Sequence, residues 1–242
     1  MDLDVALSTR ALDPETLKGR TVVVVDVLCA GTVVATALAN GARAVIPAAD
    51  SGDAGRLQAT IGRDLSLLGG ERGGQPIVGY GATASPLDYT RETIDGRTVV
   101  LTTSNGTPAM RWASPAARLV VASFVNAAAV AADLRRALAA DERVTLLCAG
   151  SGGRVALEDT LCAGLLIGRT VEAHALHGLG DGAQIAHALY HGSQDRLARV
   201  LLGADQTRRL IDAGRADDVA ACARIDALDV LPVVQDNRIT LG

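Results

Sequence analysis

The 242-residue sequence is almost without aromatic side chains: three tyrosines, one tryptophan and one phenylalanine, 2% of the chain. Its core must therefore be built from Val, Leu, Ala and Ile, a composition that suits a buried parallel sheet packed between helices. Lysine is nearly absent as well. Of 23 basic residues only Lys18 is a lysine, so an anion site here is expected to use the planar, bidentate guanidinium fork. There is no basic tract and the net charge is −4. That argues against nucleic acid as a partner, because backbone-phosphate binding needs a clustered positive face. The four cysteines, Cys29, Cys148, Cys162 and Cys222, follow no zinc spacing, and a chain this long needs no disulfide staples. A reduced, cytoplasmic protein is expected. Met1 to Leu7 carries two aspartates and no basic residue, unlike a secretory leader. In the apolar run Thr21 to Ala42 the one charged residue is Asp26. This run reads as a strand, a small-residue turn and an alanine-rich helix rather than a membrane span, so no membrane partner is expected.

What is present is globular in balance, 49% hydrophobic and 21% charged. Thr21–Val27 reads as a buried strand and Thr32–Asn40 as a helix stopped by Gly41. Arg43–Pro47 reads as a second strand. Ser51 is placed to cap a helix over Gly52–Leu68. Gly69–Thr90, rich in Gly and Pro, reads as a long loop of the functional kind. Strands are expected at Arg97–Thr103, Arg118–Ser123 and Val144–Cys148, with helices at Gly106–Trp112, Val125–Ala140 and Leu157–Val171. Short helices fill Asp181–Arg224. The end reads as a strand, a turn at Gln235-Asp236-Asn237 and a last strand. The alternation predicts a three-layer α/β/α fold with a largely parallel or mixed sheet. A single domain over residues 1–242 is expected, its helical part at about 165–225 packing on the α/β core.

Three strand ends carry the chemistry, and parallel strands would gather them at one edge. The first is Val25-Asp26-Val27-Leu28-Cys29. A carboxylate ending an apolar strand needs a partner, and two readings stand: magnesium, a hard cation, or capping of the next helix. Leu28 occupies the place where an aspartyl-phosphate enzyme of the haloacid dehalogenase type would have its second carboxylate, which excludes that class. The second is Thr102-Thr103-Ser104-Asn105-Gly106-Thr107, where backbone N–H groups could receive an anion or the polar side chains could simply cap a helix. The third is Cys148-Ala149-Gly150-Ser151-Gly152-Gly153-Arg154, followed by Glu158-Asp159. Its glycines admit an oxyanion and Arg154 can grip one. Cysteine, five residues and arginine also match the signature of cysteine-dependent phosphatases, but Leu147 and Val155 replace the flanking residues those enzymes favour. Glu158 and Asp159 suit either a site or the first turn of a helix. Glu71-Arg72 between glycines could supply a metal ligand and an anion grip, or a surface turn. His174, His177, His187 and His191 lack the acidic partners of a zinc site and read as surface or packing residues.

Taken together and in order, several stretches resemble the 2-phosphosulfolactate phosphatase family. They are Val25-Asp26-Val27-Leu28, Ala37 to Ala42, Gly70-Glu71-Arg72-Gly73-Gly74, Ser85-Pro86-Leu87-Asp88-Tyr89, Leu101 to Thr107, Ser123-Phe124-Val125-Asn126-Ala127 and Cys148 through Arg154 to Gly164. The resemblance covers most of residues 22–164 and is looser in the last third. It implies a three-layer α/β/α fold peculiar to the family. It also implies magnesium-dependent hydrolysis of 2-phospho-3-sulfolactate to sulfolactate and phosphate, a step that in some organisms belongs to coenzyme M biosynthesis. Carried over by position, Asp26, Glu71, Arg72, Asn105, Arg154, Glu158 and Asp159 are the implied site residues. Their roles are our inference from residue chemistry: Asp26, Arg154 and Glu158 are expected to be catalytic, Arg72, Ser104, Asn105, Gly106, Gly150 and Gly152 to bind substrate, and Asp26, Glu71, Glu158 and Asp159 to ligate Mg2+. The expected partner is a small anionic phosphorylated metabolite, and a homo-oligomer is compatible with the sequence. The chain departs from the pattern at Cys29, where the family usually has arginine, and at Ala84 and Gly182. It departs again in Ala204-Asp205-Gln206-Thr207, where a histidine-bearing segment is expected. These departures motivate a reading from another class, a family member that binds an anionic metabolite without turning it over.

Overall fold

The computed structural model describes residues 2–242, apart from the side chains of Ala173, His174 and His177. The reading of His174 and His177 therefore lies outside the described residues. Among the described residues ten strands are formed: β1 Leu3–Ala6, β2 Thr21–Val25, β3 Ala44–Pro47, β4 Ser66–Arg72, β5 Gln75–Pro76, β6 Thr98–Thr102, β7 Arg118–Ala122, β8 Val144–Cys148, β9 Pro232–Gln235 and β10 Arg238–Leu241. The helices are α1 Ala30–Ala39, α2 Ser51–Ile61, α3 Arg91–Ile94, α4 Gly106–Trp112, α5 Ala127–Ala139, α6 Leu157–Thr170, α7 Asp181–His191, α8 Leu197–Leu202, α9 Asp205–Asp212 and α10 Ala216–Cys222. The strands make one mixed sheet in the order β1-β8-β2-β7-β9-β10-β3-β6-β4-β5, with helices on its faces. This is the expected α/β/α layering.

The sheet has two parallel blocks. β1, β8, β2 and β7 run together, as do β3, β6 and β4. The β9–β10 hairpin joins them through three antiparallel seams. Asp236 and Asn237, both at positive φ, close that hairpin in the turn conformation that suits the twist of its strands. Following the seams, the second block runs in the opposite sense to the first. The valines of β2 are fully buried, as a strand covered on both faces requires. α1 packs on the middle of the sheet, touching β7, β9, β10 and β3.

Two expectations are corrected. The helix expected over Gly52–Leu68 stops at Ile61, where Gly62 at φ +101 turns the chain. Its cap is Asp50 rather than Ser51: the Asp50 carboxylate accepts from Asp53 N–H at 2.8 Å, and Asp53 reciprocates to Ala49 N–H at 2.9 Å. Ser66–Leu68, too short for its apolar pattern to separate helix from strand, pairs with β6 instead. The expected loop at Gly69–Thr90 begins inside β4, which folds back on β5. Its later part is ordered by its own polar groups: Asp88 accepts from Thr83, and the buried Tyr89 hydroxyl donates to the Thr83 carbonyl. β1 was not anticipated by the sequence pattern.

Candidate active site

β2 and β8 are parallel neighbours, so the loops after them meet at one edge, as expected. β6 belongs to the opposed block, yet its loop joins them. Five strand steps separate β2 from β6. At roughly 20–25° per step the twist turns β6 far out of line with β2 and brings its carboxyl end round to the same place. Contact at Gly106 is direct: a Cβ there would collide with the Asp26 carboxylate and Ala30. The three loops surround a cavity of about 500 Å3, whose wall includes Asp26, Glu71, Ser104, Asn105, Gly106 and Arg154.

The capping reading of Asp26 is borne out by its contacts. One carboxylate oxygen accepts from Ala30 N–H at 3.0 Å and so caps α1. Among the described residues no hydrogen bond reaches the other oxygen, which lies against Gly106. Asp26 is buried, and burial is the main reason its pKa rises to about 7. The nearby Glu158 and Glu71 carboxylates add to the rise, and the Ala30 and Gly31 amides oppose it.

Glu71 and Asp159 act as braces. The Glu71 carboxylate accepts from Ser104 N–H at 2.6 Å, Ser104 Oγ–H at 2.9 Å and Gly74 N–H at 2.7 Å, holding the β4–β5 turn to the loop after β6. Asp159 accepts from Val27 N–H at 2.9 Å and Gly150 N–H at 3.0 Å, tying the β2 loop to the β8 loop. Burial first, then Asp26 and Glu158, push its carboxyl up. Asn105 Oδ1 accepts from Gly152 N–H at 2.9 Å, closing the third side. The amides of Gly150 and Gly152 are thus engaged with protein groups. Glu158 lines an adjoining cavity of about 230 Å3 that shares Ser151, Arg154 and Gln206 with the first. Its pKa is raised chiefly by burial, with Asp205 raising it further and Arg209 lowering it.

Arg72 is not brought to the cavity. It is exposed, and the nearby Asp50 carboxyl is lowered chiefly by the Asp53 amide, with Arg72 a minor contributor. Cys148 is fully buried inside β8 and absent from the cavity wall, and burial drives its thiol well above the usual range. A buried, protonated thiol is a poor nucleophile. The departures sort by place. Cys29, Ala84 and Gln206 line the large cavity, whereas Gly182 packs so closely on the Val5 carbonyl of β1 that no side chain would fit.

The cavity also holds residues the sequence reading did not single out, Arg209 and Arg215. Neither lies in any of the motifs named above. Both come from the short helices of the last third, whose place over the site is set by tertiary packing.

The sequence model of the 2-phosphosulpholactate phosphatase family matches residues 7–237. The chain belongs to that family. Its relatives include a protein of Symbiobacterium thermophilum, 37% identical over 94% of this chain and 96% of the relative. One of Clostridium novyi is 32% identical over 99% and 100%, and one of Thermotoga petrophila 35% over 89% of each. All three are named "Probable 2-phosphosulfolactate phosphatase". The membership makes this chain a phosphoric monoester hydrolase by class. Among the described residues no helix is long and apolar enough to cross a membrane.

The magnesium expected for a 2-phosphosulfolactate phosphatase can be compared with the donors present. Among the described residues no three His, Cys, Asp or Glu side chains cluster closely enough to hold a metal by themselves. Mg2+, however, commonly takes one or two carboxylates and fills its shell with substrate phosphate and water. Asp26, buried with one oxygen unbonded and repelled by other carboxylates, fits that demand, and Glu158 is its electrostatic neighbour.

Proposed function

We propose that this protein hydrolyses 2-phospho-3-sulfolactate to 3-sulfolactate and phosphate with Mg2+ as cofactor, in the cytoplasm. One observation carries the reading: three loops distant in sequence enclose one cavity that sets a buried carboxylate, Asp26, among arginines. A small polyanion needs the arginines, and a phosphoryl transfer site needs a carboxylate that can hold a metal or a proton. Family membership supplies the substrate class. The four free cysteines accord with a reduced compartment.

In this reading Arg154 grips the phosphoryl oxygens and stabilises the charge that gathers there in the transition state. Ser104 and Asn105, braced by Glu71 and by the Gly152 amide, shape the wall that orients the phosphate. Asp26 and Glu158 would hold the magnesium ion, which when bound neutralises phosphate charge and acidifies a water. Asp159 keeps the β2 and β8 loops at the spacing this needs.

The test is phosphate release from synthetic 2-phospho-3-sulfolactate by the purified protein. Turnover should vanish on chelation and return with magnesium. No release at saturating magnesium would refute the substrate assignment and would leave the non-hydrolytic metabolite binder as the reading. Turnover that survives exhaustive chelation would refute the cofactor.

A further inference from the structure

Arg215 sits in the turn between α9 and α10, immediately before α10. Gly214, at φ +75, reverses the chain there, and Arg215 becomes part of the large cavity's wall. Its Nε donates to Asp218 Oδ2 at 2.6 Å. The other Asp218 oxygen accepts from Ser85 Oγ, and Asp218 is buried. One edge of the guanidinium is therefore fixed by a buried carboxylate that is itself fixed. Nη2 is also buried, and it has no hydrogen-bond partner.

A buried donor left unpaired is costly, and native structures leave few of them. Here it belongs to an anchored, permanently charged fork on the wall of an anion-binding cavity. Nη2 is closed to solvent in this geometry, so an oxyanion bound in the cavity would meet the lining part of the fork and would supply the missing acceptor only by displacing the groups that now close Nη2 off. Cys29 lines the same wall; its thiol is pushed up by Cys222 and by burial, and the Arg215 charge partly opposes that rise. Cys29 is where the resemblance leads one to expect arginine, so a guanidinium stands beside that place but comes from a distant segment. Arg72 and Arg154 are less suited to this duty: Arg72 is outside the cavity, and Arg154 belongs to the loop after β8.

We propose that Arg215 is a specificity-determining residue that binds an acid group of the substrate other than the transferred phosphoryl, a sulfonate or carboxylate. This rests on the phosphatase reading above. Asp218 and Ser85 act through Arg215 as positioning residues. The phosphoryl group is left to the Asp26 and Arg154 side of the site.

The test compares wild type, Arg215→Ala and Arg215→Lys. The substrates are phosphosulfolactate, phospholactate (carboxylate but no sulfonate) and p-nitrophenyl phosphate (neither). Thermal melts check that each variant folds. In Arg215→Ala the ratio of kcat/KM on phosphosulfolactate to that on the aryl phosphate should fall about 10- to 100-fold, the range for one lost charge-assisted contact. The fall should lie mainly in KM, and Arg215→Lys should recover part of it. A matching fall on phospholactate assigns the contact to the carboxylate, and a fall confined to phosphosulfolactate assigns it to the sulfonate. An unchanged ratio overturns the proposal. Calorimetric titration of 3-sulfolactate keeps this test separate from the phosphatase reading. If wild type does not hydrolyse phosphosulfolactate, that reading fails, yet sulfolactate binding that weakens about 10- to 100-fold in Arg215→Ala still supports the contact. Equal binding by both proteins, or none by wild type, overturns it.

Discussion

Replacing Asp26 by Asn isolates the cost of holding a carboxylate in the wall of an apolar strand end. In the unfolded chain this carboxyl loses its proton near 3.8, and in the folded, metal-free protein near 7. Between those values the folded state holds the extra proton, so the group's contribution to stability declines as pH rises. Below 3.8 both states are protonated and nothing is lost; above 7 the full penalty stands. A rise from 3.8 to about 7, at about 1.36 kcal/mol per unit, is roughly 4 kcal/mol. Asparagine keeps an oxygen for the Ala30 amide and carries no charge, so it removes the penalty. At about 2–4 °C per kcal/mol for a chain of this size, the ceiling on the gain in Tm is about 8–16 °C. The assay is thermal melting of both proteins in excess EDTA from pH 5 to 8.5. Asp26→Asn should be the more stable above pH 7, the gap should close toward pH 5, and phosphatase turnover should be lost. Magnesium should raise the wild-type Tm and leave the variant's nearly unmoved, because binding stabilises only a protein that has the site. A variant no more stable than wild type at pH 8, with the same dependence on pH, would refute the argument.

Other outcomes follow from the same geometry. Arg154→Ala should lower kcat for phosphate release by about 100- to 1,000-fold, the usual loss for one transition-state donor; a kcat within error of wild type would remove Arg154 from the phosphoryl site. Cys148→Ser should keep metal-dependent turnover, because the thiol is buried and protonated. A trapped phosphocysteine would contradict this. Asp159→Ala should destabilise the protein in urea by leaving the Val27 and Gly150 amides unpaired, at about 1–3 kcal/mol each. An unchanged midpoint would show that neither bond matters to the fold.

The elements best read from sequence were those whose local signals agreed. Val144–Cys148 is a mostly apolar, β-branched run and Leu157–Thr170 has a three-and-four residue period; both are bounded by polar loops, and they fold nearly as expected. Ser66–Leu68 differs from expectation because two leucines after a serine satisfy helix and strand alike, and only the partner β6 decides. The site divides in the same way. Asp26, Ser104, Asn105, Gly106 and Arg154 were visible because polar and glycine residues at strand ends are conspicuous against apolar strands, and all five reach the cavity. The roles of Glu71 and Asp159 were not visible. A carboxylate's sequence position does not show whether its oxygens face a ligand or, as in this fold, backbone amides.

The sequence by itself determined the layered α/β architecture, the aliphatic core and the family. These follow from composition, periodicity and ordered motifs, which are local properties that sum along the chain. Only the tertiary structure decided how opposed halves of the sheet deliver their loops to one cavity, since that depends on twist accumulated across the β9–β10 hairpin. Only it placed Arg215 beside Cys29, nearly two hundred residues away in sequence. Contacts between segments so distant leave no periodic trace, because each segment's own pattern is fixed by the core it covers and not by the ligand it helps to hold.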